Sequence, residues 1–287
     1  MNQSFRPGGF NILPPVVKNL LIINGLFFLA SFALGSSFGI DLTDYLGLHF
    51  LGAEKFRPYQ FITYMFMHHD FSHIFFNMFA LWMFGNALEN LWGPKKFLIY
   101  YIITGIGAAL IHYLIVYIEV TPILNTIDSF LESPSNNAFV DFMNNGKLHV
   151  VSEEIQNSMR EFIPRYNALL NSNPQAALSS SIEFISQYRV EYLNAPVVIG
   201  ASGSVFGLLL AFGMMFPNSL IYVYFAIPVK AKWFVMIYGA IELFSGFYNR
   251  PGDNVAHFAH LGGMVFGFLL LMYWRYQSRS RLNKFHE

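Results

Sequence analysis

Residues able to do chemistry are concentrated in three short stretches, and the first places a serine between glycines. Residues 200–207 read GASGSVFG and open an apolar run that reaches Phe216. The glycines beside Ser202 allow the backbone to turn sharply into a helix and leave the hydroxyl at the helix mouth. Such a serine can act as a nucleophile, with helix-start N–H groups ready to hold an oxyanion. Small residues also let membrane helices pack closely, so this stretch alone does not establish catalysis.

The second stretch carries histidines and an asparagine at the start of an apolar run. His73 and Asn77 are four residues apart, so both lie on one face of a helix and their donors can converge on one point. One interpretation is that each side chain bonds a neighbouring helix. The other is that the two side chains donate to an oxyanion.

The third stretch contains His257 and His260 just before a glycine-rich helix face. Glycines at four-residue spacing lie on this helix and on the helix that begins near Ser202: Gly263, Gly267, Gly203 and Gly207. If these two faces meet, His260 approaches Ser202 closely enough for the hydrogen bond that activates a serine nucleophile.

The composition indicates a membrane protein. The 287 residues are 54% hydrophobic and only 12% charged, about half the charged fraction of a soluble domain. The formal net charge is +0, so nothing points to nucleic acid. With no cysteine, thiolate metal sites and a cysteine nucleophile are excluded.

Six apolar runs predict an all-α, polytopic membrane helix bundle, because about 20 helical residues cross the hydrocarbon core. They cover 17–38, 71–92, 97–118, 198–216, 233–248 and 255–274. The fourth and fifth are short, which is typical of helices enclosed in a bundle. If the spans alternate, Lys and Arg residues of the short connections fall on the side of both termini. The positive-inside rule then places both termini in the cytoplasm and Ser202 near the outer face.

A polar stretch at 119–196 separates the third and fourth runs and predicts a small helical insertion on the outer side. Ser133-Pro134 and Asn173-Pro174 are typical helix starts, with a capping side chain followed by proline. Apolar residues recur at helical spacing at Val151, Ile155, Met159, Phe162 and Tyr166.

The chain resembles rhomboid intramembrane serine proteases of the six-span bacterial kind. Three motifs in family order carry the resemblance: H-x-x-x-x-H-x-x-x-N (His68, His73, Asn77), G-x-S-G (200–203) and A-H-x-x-G-x-x-x-G (Ala259, His260, Gly263, Gly267). Gly85 and Glu89 fit the family's G-x-x-x-E, and Arg57 fits the arginine of its first outer loop. The family often has an aromatic residue four positions after the serine, where its ring stacks on the catalytic histidine. Tyrosine is one choice there, and Phe206 of this chain keeps the ring without the hydroxyl.

The resemblance implies an endopeptidase that hydrolyses a peptide bond in or near the transmembrane segment of another membrane protein. Ser202 would be the nucleophile and His260 the general base, without a third carboxylate. The Ser202 backbone N–H, His73 and Asn77 would form the oxyanion hole. No cofactor or metal is expected, and the partners would be transmembrane substrates and the lipid bilayer of the cell inner (plasma) membrane.

The predicted organisation has five parts: a short cytoplasmic segment (1–16), spans one to three (17–118), the insertion (119–196), spans four to six (197–275) and a cytoplasmic basic tail (276–287). The segment 244–254 is expected to be a mobile cap over the site.

Alternative interpretations remain at this point. The chain could be a non-catalytic rhomboid-like protein that binds membrane helices in quality control, or a histidine-lined proton or ion carrier. A metal site could be assembled from His69, His73, His257 and His260, although no H-E-x-x-H helix is present. Asp253 could act as a third triad member, but its loop position favours a solvated carboxylate.

Overall fold

The computed structural model describes residues 11–144, 153–223, 226–248 and 255–283. The helices of these residues are α1 Pro15–Phe38, α2 Thr43–Leu46, α3 Gln60–Thr63, α4 Phe71–Trp92, α5 Pro94–Glu132, α6 Asn136–Asn144, α7 Glu153–Ser172, α8 Pro174–Asn194, α9 Ser202–Met215, α10 Ala231–Tyr248 and α11 His257–Asn283. A 3-10 turn covers Tyr64–Phe66, and the strands are β1 Leu48–His49, β2 Val197–Val198, β3 Leu220–Val223 and β4 Ile227–Lys230.

The described chain divides into two compact units. The first contains residues up to Leu48, then Pro58–His112, then the residues from Val198 onward. The second contains His49–Arg57 and Tyr113–Val197.

The predicted helical membrane bundle is confirmed as a class of fold. Among the described residues, three helical stretches are long and apolar enough to cross a membrane: Pro15–Phe38, Pro94–Glu132 and His257–Ser280. Helices α4 and α10 lie where the second and fifth spans are predicted, and α9 is a shorter apolar helix within the predicted fourth span. The number of six spans stays a prediction.

Helix α9 is the element around which the first unit packs. It contacts α4, α10 and α11, and most of its residues are buried. Its 14 residues rise only about 21 Å, so it is too short to cross the hydrocarbon core alone. Its small and apolar side chains suit this enclosed position. Because α9 begins at Ser202, its first turn holds the candidate nucleophile.

The far end of α4 holds the start of α1 through the G-x-x-x-E residues. The Glu89 carboxylate accepts hydrogen bonds from the backbone N–H groups of Val16 (2.9 Å) and Val17 (2.8 Å). These are helix-start donors that α1 leaves unsatisfied, because no side chain caps it at Pro14. A Cβ atom at Gly85 would lie 3.0 Å from Val17, so glycine there lets α1 pack closely on α4.

Helix α5 differs from the predicted third span, which ends at residue 118. It continues to Glu132 because Val120, Ile127 and Phe130 recur on one helical face and are buried in the apolar core of the second unit.

The helical nature of the insertion is observed, with one shifted boundary. Asn173 caps α8 as predicted, accepting from the Ala176 N–H at 3.1 Å with Pro174 in the first turn. The start predicted at Ser133-Pro134 is wrong: α6 begins at Asn136, and Ser135 is the residue that accepts from the Ala138 N–H. Ile155 and Tyr166 of α7 are buried, in agreement with the predicted apolar face, whereas Val151 lies outside the described residues.

Candidate active site

The first side of the site is the start of α4. Asp70 caps this helix by accepting a hydrogen bond from the His73 N–H at 2.8 Å, and that bond holds the pKa of the Asp70 carboxyl below its ordinary value. The cap fixes His73 in the first turn and places Asn77 one turn further along the same face. Asn77 is buried, and its amide donates to the His73 carbonyl at 3.1 Å.

The loop before α9 passes directly beside His73. The Gly200 N–H donates to the Tyr64 carbonyl at 2.9 Å, and Gly200 has a φ of 122°. A Cβ atom at Gly200 would lie 2.7 Å from His73 Nε2 and 3.7 Å from Ser202 Oγ. Glycine is therefore required at position 200 for two reasons: the backbone has a positive φ, and the His73 imidazole occupies the space that a Cβ atom would need.

Ser202 is the first residue of α9 and remains partly exposed, so both its hydroxyl and its backbone N–H lie at the helix mouth. The hydroxyl Oγ is 2.8 Å from Nε2 of His260, which is buried in the first turn of α11. This is the geometry of a serine nucleophile hydrogen-bonded to its base.

The close approach of α9 and α11 explains how these two side chains meet. A Cβ atom at Gly263 would overlap the backbone of Gly203, so the helices touch without side chains between them. The prediction that Gly207 and Gly267 also meet between these two helices is wrong. Both glycines face α5 instead, where a Cβ at Gly207 would collide with Thr104 and a Cβ at Gly267 with Tyr100. The Tyr100 hydroxyl also donates to the Gly207 carbonyl at 2.9 Å.

Phe206 fixes the plane of the His260 ring. The two rings are stacked with centroids 4.1 Å apart and an angle of 6° between their planes. Tyr238 of α10 stacks on Phe206 in turn, with ring centroids 5.4 Å apart. Phenylalanine thus supplies the stacking ring that the resemblance implies at this position.

A carboxylate completes the hydrogen-bonded chain, and the sequence interpretation missed it. Glu242 of α10 is 6% exposed, and its Oε2 lies 2.9 Å from His260 Nδ1 and 2.7 Å from His257 Nδ1. The expectation of a serine and histidine without a third carboxylate therefore does not describe the resting site. The available signal was that Glu242 is the lone charged residue in the fifth apolar run, where charged side chains are costly.

The hydrogen bonds define which nitrogen of each imidazole carries a proton. A carboxylate only accepts, so His260 donates from Nδ1–H and its Nε2 is left to accept from Ser202. His73 has the opposite arrangement, since its Nδ1 accepts a long hydrogen bond from the His69 N–H at 3.5 Å. Neutral His73 therefore carries its proton on Nε2, the atom beside Gly200, and can donate toward the site.

The neighbouring His68 packs edge-on against His73, with ring centroids 4.9 Å apart. Burial lowers the pKa of His68 to about 3, so this ring is neutral and adds no charge beside the site.

The described residues contain one group of side chains that could hold a metal ion, namely Glu242, His257 and His260. The metal set considered from the sequence, with His69 and His73, is not this group. The separations of 2.7 and 2.9 Å are those of hydrogen bonds, whereas ligands of a tetrahedral zinc lie roughly 3.3 Å or more apart, since each is about 2.0–2.1 Å from the ion.

Two other expectations have different outcomes. Asp253 and the rest of the proposed cap beyond Tyr248 lie outside the described residues, and residues 244–248 form the end of α10. Arg57 donates to the carbonyls of Glu54 (2.9 Å) and Phe56 (2.7 Å), so it bonds its own loop in the second unit.

Comparison with known proteins gives a consistent result. The chain matches the Rhomboid domain over residues 55–120 and 170–277, which together exceed half of its length. The stretch left unmatched between them lies in the helical insertion.

Two curated relatives are rhomboid proteins. One is an uncharacterized mitochondrial rhomboid protein of Schizosaccharomyces pombe, 25% identical over 292 residues that cover 95% of this chain and 69% of that protein. The other is the chloroplastic Rhomboid-like protein 11 of Arabidopsis thaliana, 31% identical over 86 residues, which cover 26% of this chain and 31% of that protein.

Proposed function

The chain belongs to the rhomboid family, and from that premise we propose that it is an intramembrane serine endopeptidase. The observation that carries the proposal is the hydrogen bond between Ser202 Oγ and His260 Nε2 at the partly exposed start of α9. A protein that only bound membrane helices would not need this pair, with donors grouped beside it.

Acylation begins at the serine hydroxyl. Ser202 Oγ attacks the carbonyl carbon of the scissile bond while its proton moves to His260 Nε2. The tetrahedral intermediate collapses as the C–N bond breaks, and Nε2–H of His260 protonates the leaving amine. The product is an ester of the substrate with Ser202.

Deacylation repeats the steps with water. His260 Nε2 takes a proton from water as the water oxygen attacks the ester carbonyl. The C–O bond to Ser202 then breaks, and His260 returns the proton to the serine oxygen, so neither residue is changed over the cycle.

We assign three donors to the oxyanion hole: the Ser202 backbone N–H, the His73 Nε2–H and the Asn77 amide. The first belongs to the unsatisfied N–H groups of a helix start, which favour negative charge. His73 Nε2 and Ser202 Oγ both lie within 4 Å of one point beside Gly200. Developing charge at that point would be stabilised by fixed donors.

The substrate class is the transmembrane segment of another membrane protein. A helical segment hides its carbonyls in its own hydrogen bonds, so the segment must unwind before Ser202 can reach one.

We also propose the plasma membrane as the location. Both termini would lie in the cytoplasm and the insertion outside, because the basic residues of the short connections fall on one side. Protease added outside intact cells should then cut the insertion. If the insertion is cut only in inverted vesicles, the orientation is the opposite of the one proposed.

The decisive experiment incubates the purified full-length protein with a tagged protein that has one transmembrane segment. We expect a cleavage product from the wild type and none from Ser202→Ala. Substrate capture without any product would favour the non-catalytic helix-binding function instead.

A further inference from the structure

The Glu242 carboxylate is buried between two imidazoles, and one of its oxygens is shared by both. Oε2 is 2.9 Å from His260 Nδ1 and 2.7 Å from His257 Nδ1. The side chains of all three residues are at most 14% exposed. Helix α10 supplies the acceptor and α11 supplies both donors, so the contact joins two helices at the site.

We propose that Glu242 is a positioning residue for His260, and this role rests on the proposed peptide hydrolysis. The carboxylate holds the proton of neutral His260 on Nδ1. Nε2 therefore presents its lone pair to the Ser202 hydroxyl. When Nε2 takes the serine proton, the adjacent carboxylate stabilises the resulting imidazolium.

The alternative tautomer shows why a positioning residue matters here. A neutral imidazole with its proton on Nε2 would donate to Ser202 and could not accept the serine proton. Stacking on Phe206 fixes the ring plane but does not select between the two tautomers. The acceptor at Nδ1 makes that selection.

His257 completes the arrangement by fixing the carboxylate. Its Nδ1 donates to the same oxygen that His260 uses, so Oε2 is held at the junction of two donors. A buried carboxylate needs such partners because an unpaired charge in an apolar interior is strongly unfavourable. His257 thus acts on Glu242, whereas Glu242 acts on the base.

The first test compares Glu242→Gln with Glu89→Gln. Both substitutions replace a buried carboxylate by an amide of the same shape, but Glu89 bonds only the backbone N–H groups at the start of α1. We expect Glu242→Gln to lower kcat per folded molecule by at least tenfold and up to about 10⁴-fold, with KM within threefold. Glu242→Asp, which keeps the charge, should recover part of the rate. Glu89→Gln should leave kcat of the folded protein within threefold.

The second test reads the proton on His260 directly and needs no substrate. In protein with ¹⁵N-labelled histidine, the His260 signals are assigned by their loss in His260→Asn. We expect the Nδ1–H form in the wild type and in Glu89→Gln, and a substantial Nε2–H fraction in Glu242→Gln. If no variant cleaves but this tautomer change appears, the proposed function fails while the positioning contact stands.

Three results would overturn the proposal. One is a kcat for Glu242→Gln within tenfold of the wild type, and another is an unchanged His260 tautomer in that variant. The third concerns the metal alternative: tight Zn²⁺ binding that is lost in Glu242→Gln, together with a kcat of the wild type that falls in the presence of chelator, would make the cluster a metal site.

Discussion

Glu89 and Glu242 are both buried carboxylates in apolar helices, yet they accept hydrogen bonds from different kinds of donor. Glu89 accepts from the backbone N–H groups of Val16 and Val17. Glu242 accepts from the imidazoles of His257 and His260. Backbone donors keep their protons under all ordinary conditions, whereas an imidazole can place its proton on either nitrogen. The same side chain therefore holds a helix start in one place and selects a tautomer in the other.

This difference shows that the partners of a buried charge decide its role, not its burial. Loss of Glu89 should weaken the docking of α1 on α4 and so act on stability. Loss of Glu242 should instead act on the rate of reaction. Substitutions of the two glutamates can therefore be distinguished by measuring turnover and unfolding on the same preparations.

The largest effect is expected at the Ser202 and His260 pair. Ser202→Ala and His260→Ala should each lower kcat by about 10⁶-fold, as loss of the nucleophile or the base does in known serine proteases, and the double variant should be no worse. The two residues act as one unit, so their effects do not add. Turnover of the tagged substrate and thermal unfolding are measured together, and unfolding should be little changed. Undiminished cleavage by either single variant would contradict the assignment.

A smaller effect is expected at the oxyanion donors. His73→Ala and Asn77→Ala should each slow turnover by about 10²–10³-fold, or roughly 2.7–4 kcal/mol, because a donor to the developing charge is lost. Single-turnover kinetics separate binding from chemistry in these variants. If either one weakens substrate binding but keeps the rate of the bound substrate, that residue is not an oxyanion donor.

Glu89→Gln, by contrast, should lower the stability of the protein and leave its turnover almost unchanged. The amide oxygen can still accept one helix-start N–H, but a charged hydrogen bond is lost and an N–H donor faces α1. We expect a loss of about 2 kcal/mol in the free energy of unfolding, from the ~1.5–3 kcal/mol that such bonds contribute. Unfolding in detergent measures it, with kcat per folded molecule as the control. A large fall in kcat without a loss of stability would remove the distinction between the two glutamates.

Much of the site could be predicted because motif spacing carries geometric information. His73 and Asn77 share a helix face at four-residue spacing, and the glycine at 263 marks where α11 can touch α9. Hydropathy likewise predicts the positions of the long helices. These features depend on local periodicity, which is read directly from the order of residues.

The parts that could not be predicted depend on how separate helices pack against one another. Glu242 reaches His260 only because α10 and α11 pack side by side, and no spacing in the chain gives that contact. The same reason explains Gly207 and Gly267, which face α5 and not each other. The extension of α5 to Glu132 required knowledge of the core that buries its last turns.

Among the histidines of the site, the smallest effect on turnover is expected at His257, and this effect separates the base from its neighbour. His257 and His260 are three residues apart on α11, and both donate to Glu242. The His260 ring combines this bond with an Nε2 atom 2.8 Å from Ser202 Oγ. In His257→Ala the bond between Glu242 and His260 can persist, so the tautomer of the base is retained.

We therefore expect His257→Ala to keep substantial activity, with kcat within about tenfold of the wild type, because it removes a partner of Glu242 and not the base. The matched control is His260→Ala in the same preparation, which should be inactive. An inactive His257→Ala beside an active His260→Ala would require α11 to be rotated and the base to be reassigned to His257.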